Sequence, residues 1–290
     1  MADKIVNTSG FKVENIIADY IFESDFYQIK NWVFDFNDDK KSSKAYNDCL
    51  CIVLIKKGNY LFDLHKDSYN THLGHIIIEK PNYQYSLRPC AGECSIFNFT
   101  NEFYKQYIDS LGLVYSFFFS NNNISSLMLN ATPEAEYLHS QILRKASGSC
   151  KLEMDTLVLE FFKNIVASFT NKSVEGEMNT AIKANHLTII EKAKEFINER
   201  FSNDISLYEI SRYSCVSPFH FSRVFKKYTT FSPYQYLLNI RLKHAEMMLK
   251  NSLISILEIS ISSGFNTAEN FATAFKQKYK LNPTQYRLEY

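Results

Sequence analysis

At 290 residues the chain has room for two domains of ordinary size, and with 46% hydrophobic residues, 22% charged residues, 8 Gly and 6 Pro it is neither disordered nor fibrous in composition. The formal net charge of +1 hides an asymmetry. Residues 191–290 hold 14 Lys+Arg against 9 Asp+Glu, a balance of +5, and residues 1–190 hold 18 against 22, a balance of −4, so an anionic partner is expected for the C-terminal part.

The start, MADKIVNTSG, lacks the apolar core of a secretory signal. The longest apolar run, LGLVYSFFF at 111–119, is about half a membrane span. Six cysteines without a regular framework read as buried or free thiols in a reducing compartment. The expectation is a cytoplasmic protein with no membrane partner.

Residues 11–100 read as many short strands. CLCIVLIKKGNYLFDLH (49–65) reads as two strands joined at Lys57-Gly58-Asn59, and HIIIE (75–79) follows a turn at Gly74. Gln84–Leu87 and CSIFNFT (94–100) continue the pattern, which fits a small antiparallel barrel or sandwich. From about 101 the period becomes helical, with helices expected at 101–111, 134–146 and 151–169. The polar stretch TNKSVEGEMNT supplies a linker, placed at 171–185. The rest, 186–290, reads as all-helical.

Within it one phrase is written twice. SPFHFSRVFKKYTTFSPYQY (217–236) is matched fifty positions on by TAENFATAFKQKYKLNPTQY (267–286). Ser217 caps a helix whose first position is Pro218, where the missing N–H costs nothing. Phe221, Val224, Phe225 and Tyr228 fall on one face by three-and-four spacing, and Phe219, Ser222, Arg223 and Lys226 on the other. The short helix LYEISRYS ahead of it, capped by Ser206 and joined by Cys215-Val216, completes a helix-turn-helix. The second copy repeats the plan, with Ser255 and ILEISISSG before Thr267, Phe271 and Phe275 on the core face, and Lys276 in front. Between the copies Tyr234–Lys250 forms a helix that can space two reading helices, 218–228 and 268–279, by one turn of DNA. Helical packing alone explains the apolar letters, but not the basic residues opposite them.

The segments SPFHFSRVFKK, FSPYQYLLNIRLKHAEMML and ILEISISSGFNTAENFATAFKQKYKLNPTQYR resemble the DNA-binding domain of AraC/XylS-type bacterial transcription regulators over roughly 187–290. The resemblance implies an α+β chain: a cupin-like effector-sensing and dimerisation domain at 1–170, with a β-rich barrel over about 11–100 and helices over 101–170, followed by the double helix-turn-helix domain. It also implies base-reading positions at Phe219, Ser222 and Arg223 in the first copy and at Ala268, Glu269, Asn270 and Thr273 in the second. Arg223 has the fork to grip guanine, and Glu269 the oxygens to accept from a cytosine amino group. The chain departs from the family in having Thr230 and Lys280 where Gly is usual, and Glu269 and Thr273 where Ser and Arg are common. A second copy with weaker grip is therefore expected. Phosphate contacts are expected from Lys226, Lys227, Arg241, Lys243, Lys276 and Lys278.

Other constellations are weaker. On one strand, His72-x-x-His75 sends its rings to opposite faces, so His65, His72, His75 and Glu79 are not expected to hold a metal. Cys90-x3-Cys94 and Cys49-x-Cys51 lack zinc-ligand spacing and read as structural, with a thiol sensor as the rival. His65 and Arg88 are candidates for contacting an anionic effector, the alternative being solvated strand residues. No Ser/His/Asp arrangement, phosphate-cradling Gly loop or paired carboxylates point to catalysis, and no cofactor is expected. The function expected is an effector-responsive, sequence-specific DNA-binding transcription regulator. Its expected partners are double-stranded promoter DNA, a small-molecule effector, a second copy of the chain, and RNA polymerase if it activates. The alternatives are a cupin-type metalloenzyme or a protein-interaction adaptor carrying a borrowed helix-turn-helix domain.

Overall fold

Strands of alternating polarity occupy the first part of the chain, and short capped helices the last. A computed structural model describes residues 16–35, 45–64, 67–110, 117–122, 124–170 and 184–289. In chain order the elements are β1 (Ile16–Glu23), β2 (Tyr27–Asp35), β3 (Ala45–Asn47), β4 (Leu50–Leu64), β5 (Asp67–His72), β6 (His75–Glu79) and β7 (Tyr83–Phe99). They are followed by α1 (Asn101–Ser110), α2 (Phe117–Ser120), β8 (Ser126–Asn130), α3 (Pro133–Lys145) and α4 (Lys151–Thr170). The last part holds α5 (Ala184–Arg200), α6 (Leu207–Tyr213), α7 (Pro218–Thr229), α8 (Pro233–Asn251), α9 (Ile256–Ser262), α10 (Ala268–Tyr279) and α11 (Pro283–Glu289). No described helix is long and apolar enough to cross a membrane.

The chain divides into two compact units, one of residues 1–131 and 141–183, the other of 132–140 and 184–290. The nine residues Thr132–Ser140 therefore group with the C-terminal helices, whereas the sequence pattern places them with the N-terminal domain. The expected linker lies outside the described residues up to 183, and Ala184 already opens α5.

The first unit is built on one antiparallel sheet of order β1-β2-β7-β4-β6-β8, with β3 on β7 and β5 on β4. One face carries Cys51, Val53 and Ile55 of β4 packed with Phe34, Ile77, Cys94 and Ile96. Alternation sends Leu50, Ile52, Phe97 and Phe99 to the other face. There Phe97 meets Phe161 of α4 at 4.8 Å, and Phe99 meets Phe103 of α1 at 4.9 Å. Both faces of the sheet are thus apolar, which explains the unbroken hydrophobic run in β4 and β6.

The sequence reading of 49–65 as a hairpin is corrected. β4 is one strand that pairs with β7 from Leu50↔Phe99 to Leu64↔Tyr85, with irregularities at Ile55/Lys57 and Asn59/Tyr60. Likewise β7 is one strand and not two. Gly58, at φ 71°, sits in the bulged stretch, and a Cβ there would lie 1.9 Å from the Ala91 carbonyl oxygen. A positive-φ glycine marks bulges as well as turns, and here the partner strand decides for the bulge. Gly58→Ala is expected to cost well over 1 kcal/mol of unfolding free energy in denaturant titration; an unchanged midpoint would mean that β4 and β7 do not approach this closely.

Candidate nucleic-acid interface

Each helix of the C-terminal unit starts on a local signal. Ser206 and Glu209 form a reciprocal capping box on α6, Ser255 and Glu258 repeat it on α9, and Ser232 and Gln235 do so on α8. Ser217 caps α7 ahead of Pro218, and the Thr267 hydroxyl accepts from the Asn270 N–H at 3.1 Å on α10. The turns also correspond. Val216 N–H donates to the Ser211 carbonyl at 3.0 Å, and Phe265 N–H to the Ser260 carbonyl at 3.1 Å. Cys215 supplies the left-handed residue of the first turn at φ 59°, where the second turn has Gly264 at φ 82°.

The faces come out as the spacing requires. Phe221, Val224, Phe225 and Tyr228 are buried, and so are Phe271 and Phe275. Phe221 meets Phe225 at 5.3 Å, and Phe225 meets Tyr236 of α8 edge-on at 5.2 Å. The second copy matches, with Phe271–Phe275 at 5.4 Å and Phe275–Tyr286 at 5.3 Å. Opposite the buried rings, α7 exposes Phe219 (80% accessible), Arg223, Lys226 and Lys227, with Ser222 half-buried. Helix α10 exposes Glu269, Asn270, Thr273, Lys276 and Gln277, with Ala268 half-buried.

The outward face of α7 therefore carries three cations and no carboxylate, and that of α10 sets Lys276 against Glu269. Gln277, absent from the sequence-based reading, shares this face. The fifty-residue shift pairs it with Lys227, which is the signal that would have found it.

Three of the expected phosphate contacts have their charges engaged inside the domain. Arg241 donates from Nε to the Phe201 carbonyl at 2.8 Å and from its terminal nitrogen to the Asn203 carbonyl at 2.7 Å, satisfying orphan carbonyls beyond α5. Lys243 is 3% accessible and pairs with Glu246 at 2.7 Å. Lys278 pairs with Glu134 and donates to Asn239 Oδ1 at 2.8 Å. Glu246 is the hub of the second motif, accepting also from Lys250 at 2.8 Å and from Tyr286 Oη at 2.7 Å. Burial alone would raise its carboxyl; the Lys243 ammonium beside it and hydrogen bonds from Lys243, Lys250 and Tyr286 instead hold it at about 2.

Both reading helices end on a left-handed residue that is not glycine, Thr230 at φ 65° and Lys280 at φ 68°. A β-branched residue is strained there.

The first unit holds the remaining candidates. Arg88 is committed to a two-pronged pair with Asp63, both bonds at 2.9 Å, so an anionic effector would have to displace a carboxylate to reach it. His65 lies outside the described residues. His72 and His75 are not on opposite faces of a strand, since the Gly74 turn folds them together with ring centroids 3.6 Å apart. Among the described residues, no group of three or more His, Cys, Asp or Glu is placed to hold a metal ion. Burial pushes the Cys49 thiol up to about 12 and raises Cys51 and Cys94 as well, the opposite of what a reactive sensor thiol needs.

A helix-turn-helix domain family model matches residues 210–289. The chain is 21% identical over 255 residues to the uncharacterized HTH-type transcriptional regulator YdeC of Bacillus subtilis, covering 83% of this chain and 84% of that one. Residues 210–289 thus carry a helix-turn-helix domain, and the chain as a whole is similar to an HTH-type transcriptional regulator. It is also 29% identical over 113 residues to the Msm operon regulatory protein of Streptococcus mutans, a match that spans only 39% of that relative's length. Among solved structures it is similar to the C-terminal domain of AraT, a response regulator from Geobacillus stearothermophilus, at 32% identity and TM-score 0.35, covering 35% of this chain and 85% of that one. Within this helix-turn-helix domain, Thr230→Gly is expected to raise the unfolding free energy by about 1 kcal/mol, by removing the left-handed penalty. Its thermal midpoint tests this, and a lower midpoint would mean that the threonine side chain stabilises the cap.

Proposed function

We propose that this regulator lays α7 and α10 in two successive major grooves of one face of promoter DNA in the cytoplasm. The observation that carries the reading is the outward face of α7, where Arg223, Lys226 and Lys227 stand opposite a buried phenylalanine pair and meet no carboxylate on that face. Helix α8, 19 residues long, spans about 28 Å, which suits reading helices one DNA turn apart. Phe219, Ser222 and Arg223 then meet base edges from the first copy, and Ala268, Glu269, Asn270 and Thr273 from the second. Lys226, Lys227 and Lys276 meet phosphates and supply the salt-dependent affinity. With Glu269 cancelling Lys276 on the outward face of α10, against three cations on that of α7, the second motif contributes specificity more than grip.

The N-terminal unit is assigned the sensing and pairing role, taking a small-molecule effector and a second copy of the chain. RNA polymerase is a partner if the outcome is activation. The match to YdeC, an HTH-type transcriptional regulator, extends over 83% of this chain and so reaches into that unit.

Arg223→Ala is expected to cost about 1–3 kcal/mol of binding and to relax discrimination at one base pair, whereas Lys227→Ala weakens all sequences alike and lowers the salt slope by about 0.9. Binding titrations at several salt concentrations on base-substituted sites separate the two. A uniform loss for Arg223→Ala would make it a phosphate contact, and a purified protein with no preference for any promoter over bulk DNA would end the reading.

A further inference from the structure

The segment Thr132–Ser140 groups with the C-terminal helices and is largely buried. Ala135, Glu136, Tyr137, Leu138 and His139 are all buried, including a carboxylate only 7% accessible. Glu136 accepts from Lys194 of α5 with one oxygen and from the Tyr236 hydroxyl of α8 with the other. Glu134, one residue before Ala135 on the same helix, accepts from Lys278 of α10, which also holds Asn239 of α8. Tyr137 Oη lies 2.7 Å from His244 Nδ1 of α8 and packs edge-on to Phe201 at 5.7 Å.

Lys194 belongs to the first motif's supporting helix, and Lys278 to the second motif's reading helix. Both ammonium groups take their carboxylate from this one segment. Tyr236 and His244, eight residues apart on α8, both take a partner from the segment, which is thereby fastened to the spacer as well as to α5 and α10. Lys194 is 7% accessible, and a buried ammonium that lost its carboxylate would be strongly destabilising, so its pairing depends on this segment. The segment lies outside the 210–289 stretch matched by the family model. It is the first part of α3, a single helix that runs on to Lys145 in the other unit.

We propose that residues 132–140 are a brace that fixes the separation of the two reading helices, with Glu134 and Glu136 as positioning residues for DNA recognition. The proposal rests on the two-groove reading above. A rigid separation discriminates between sites by the number of base pairs between their halves, because one added pair rotates the second half by about a tenth of a turn. Loss of the brace therefore lowers the preference for correct spacing and not only the affinity.

The test uses the full chain and two DNAs, the natural site and the same site with one base pair inserted between its halves. Glu134→Lys, which faces Lys278 with a like charge, is expected to shrink the affinity ratio between the two DNAs about tenfold, within the coupling range of contacting residues. The double variant Glu134→Lys/Lys278→Glu restores it. Glu134→Gln, which keeps the size and loses only the charge, shrinks the ratio in the same direction and covers the case of a reversal that does not fold. A ratio unchanged in Glu134→Gln, or a double variant that fails to rescue, overturns the brace. A native protein that protects a single groove overturns instead the two-groove reading on which the brace rests.

Discussion

Two phenylalanines four residues apart, buried against α8 in one copy and against α8 and α11 in the other, determine the rest of the C-terminal unit. Once Phe221 and Phe225 face inward, the 100° step of the helix leaves Phe219, Arg223, Lys226 and Lys227 facing outward. Phe271 and Phe275 impose the same frame on α10. Burying a phenylalanine pair stabilises each short helix by several kcal/mol, far more than a 12-residue helix gains from its own propensity. The chemistry of the outward residues can then differ between copies without altering the scaffold. That freedom is visible in Arg223 against Thr273 and Lys227 against Gln277.

The same logic explains why the two copies are unequal electrostatically. The second motif spends its charges internally: Lys243 and Lys250 on Glu246, and Lys278 on Glu134. What faces outward from α10 is close to neutral, while α7 keeps its cations free of carboxylates on its front. On the two-groove reading proposed above, affinity resides in the first motif, and the second acts by requiring the correct bases and the correct spacing.

Features set by neighbours within a turn or two were legible from the letters. The capping serines, the proline at the start of α7, the paired phenylalanines and the repeat itself gave the helical domain and its outward face before any coordinates. Features set by distant partners were not. Gly58 looks like a hairpin turn until β7 is laid beside it. Arg241 and Lys278 look like phosphate ligands because a basic residue near a reading helix has no letter beside it announcing an internal partner, whereas the partner of Lys243, Glu246, stands one turn along the same helix. For Lys278 that partner lies 144 residues away, and for Lys194 it lies 58 away. The brace left no periodic signature in the sequence, since its glutamates look like ordinary first-turn acids of α3.

The most direct test of the account is a hydroxyl-radical footprint of the full chain on its own promoter at moderate salt. Two protected patches on one face of the duplex, separated by about 10 base pairs, are the expected result. A single protected patch would contradict it, as would protection spread evenly along the fragment.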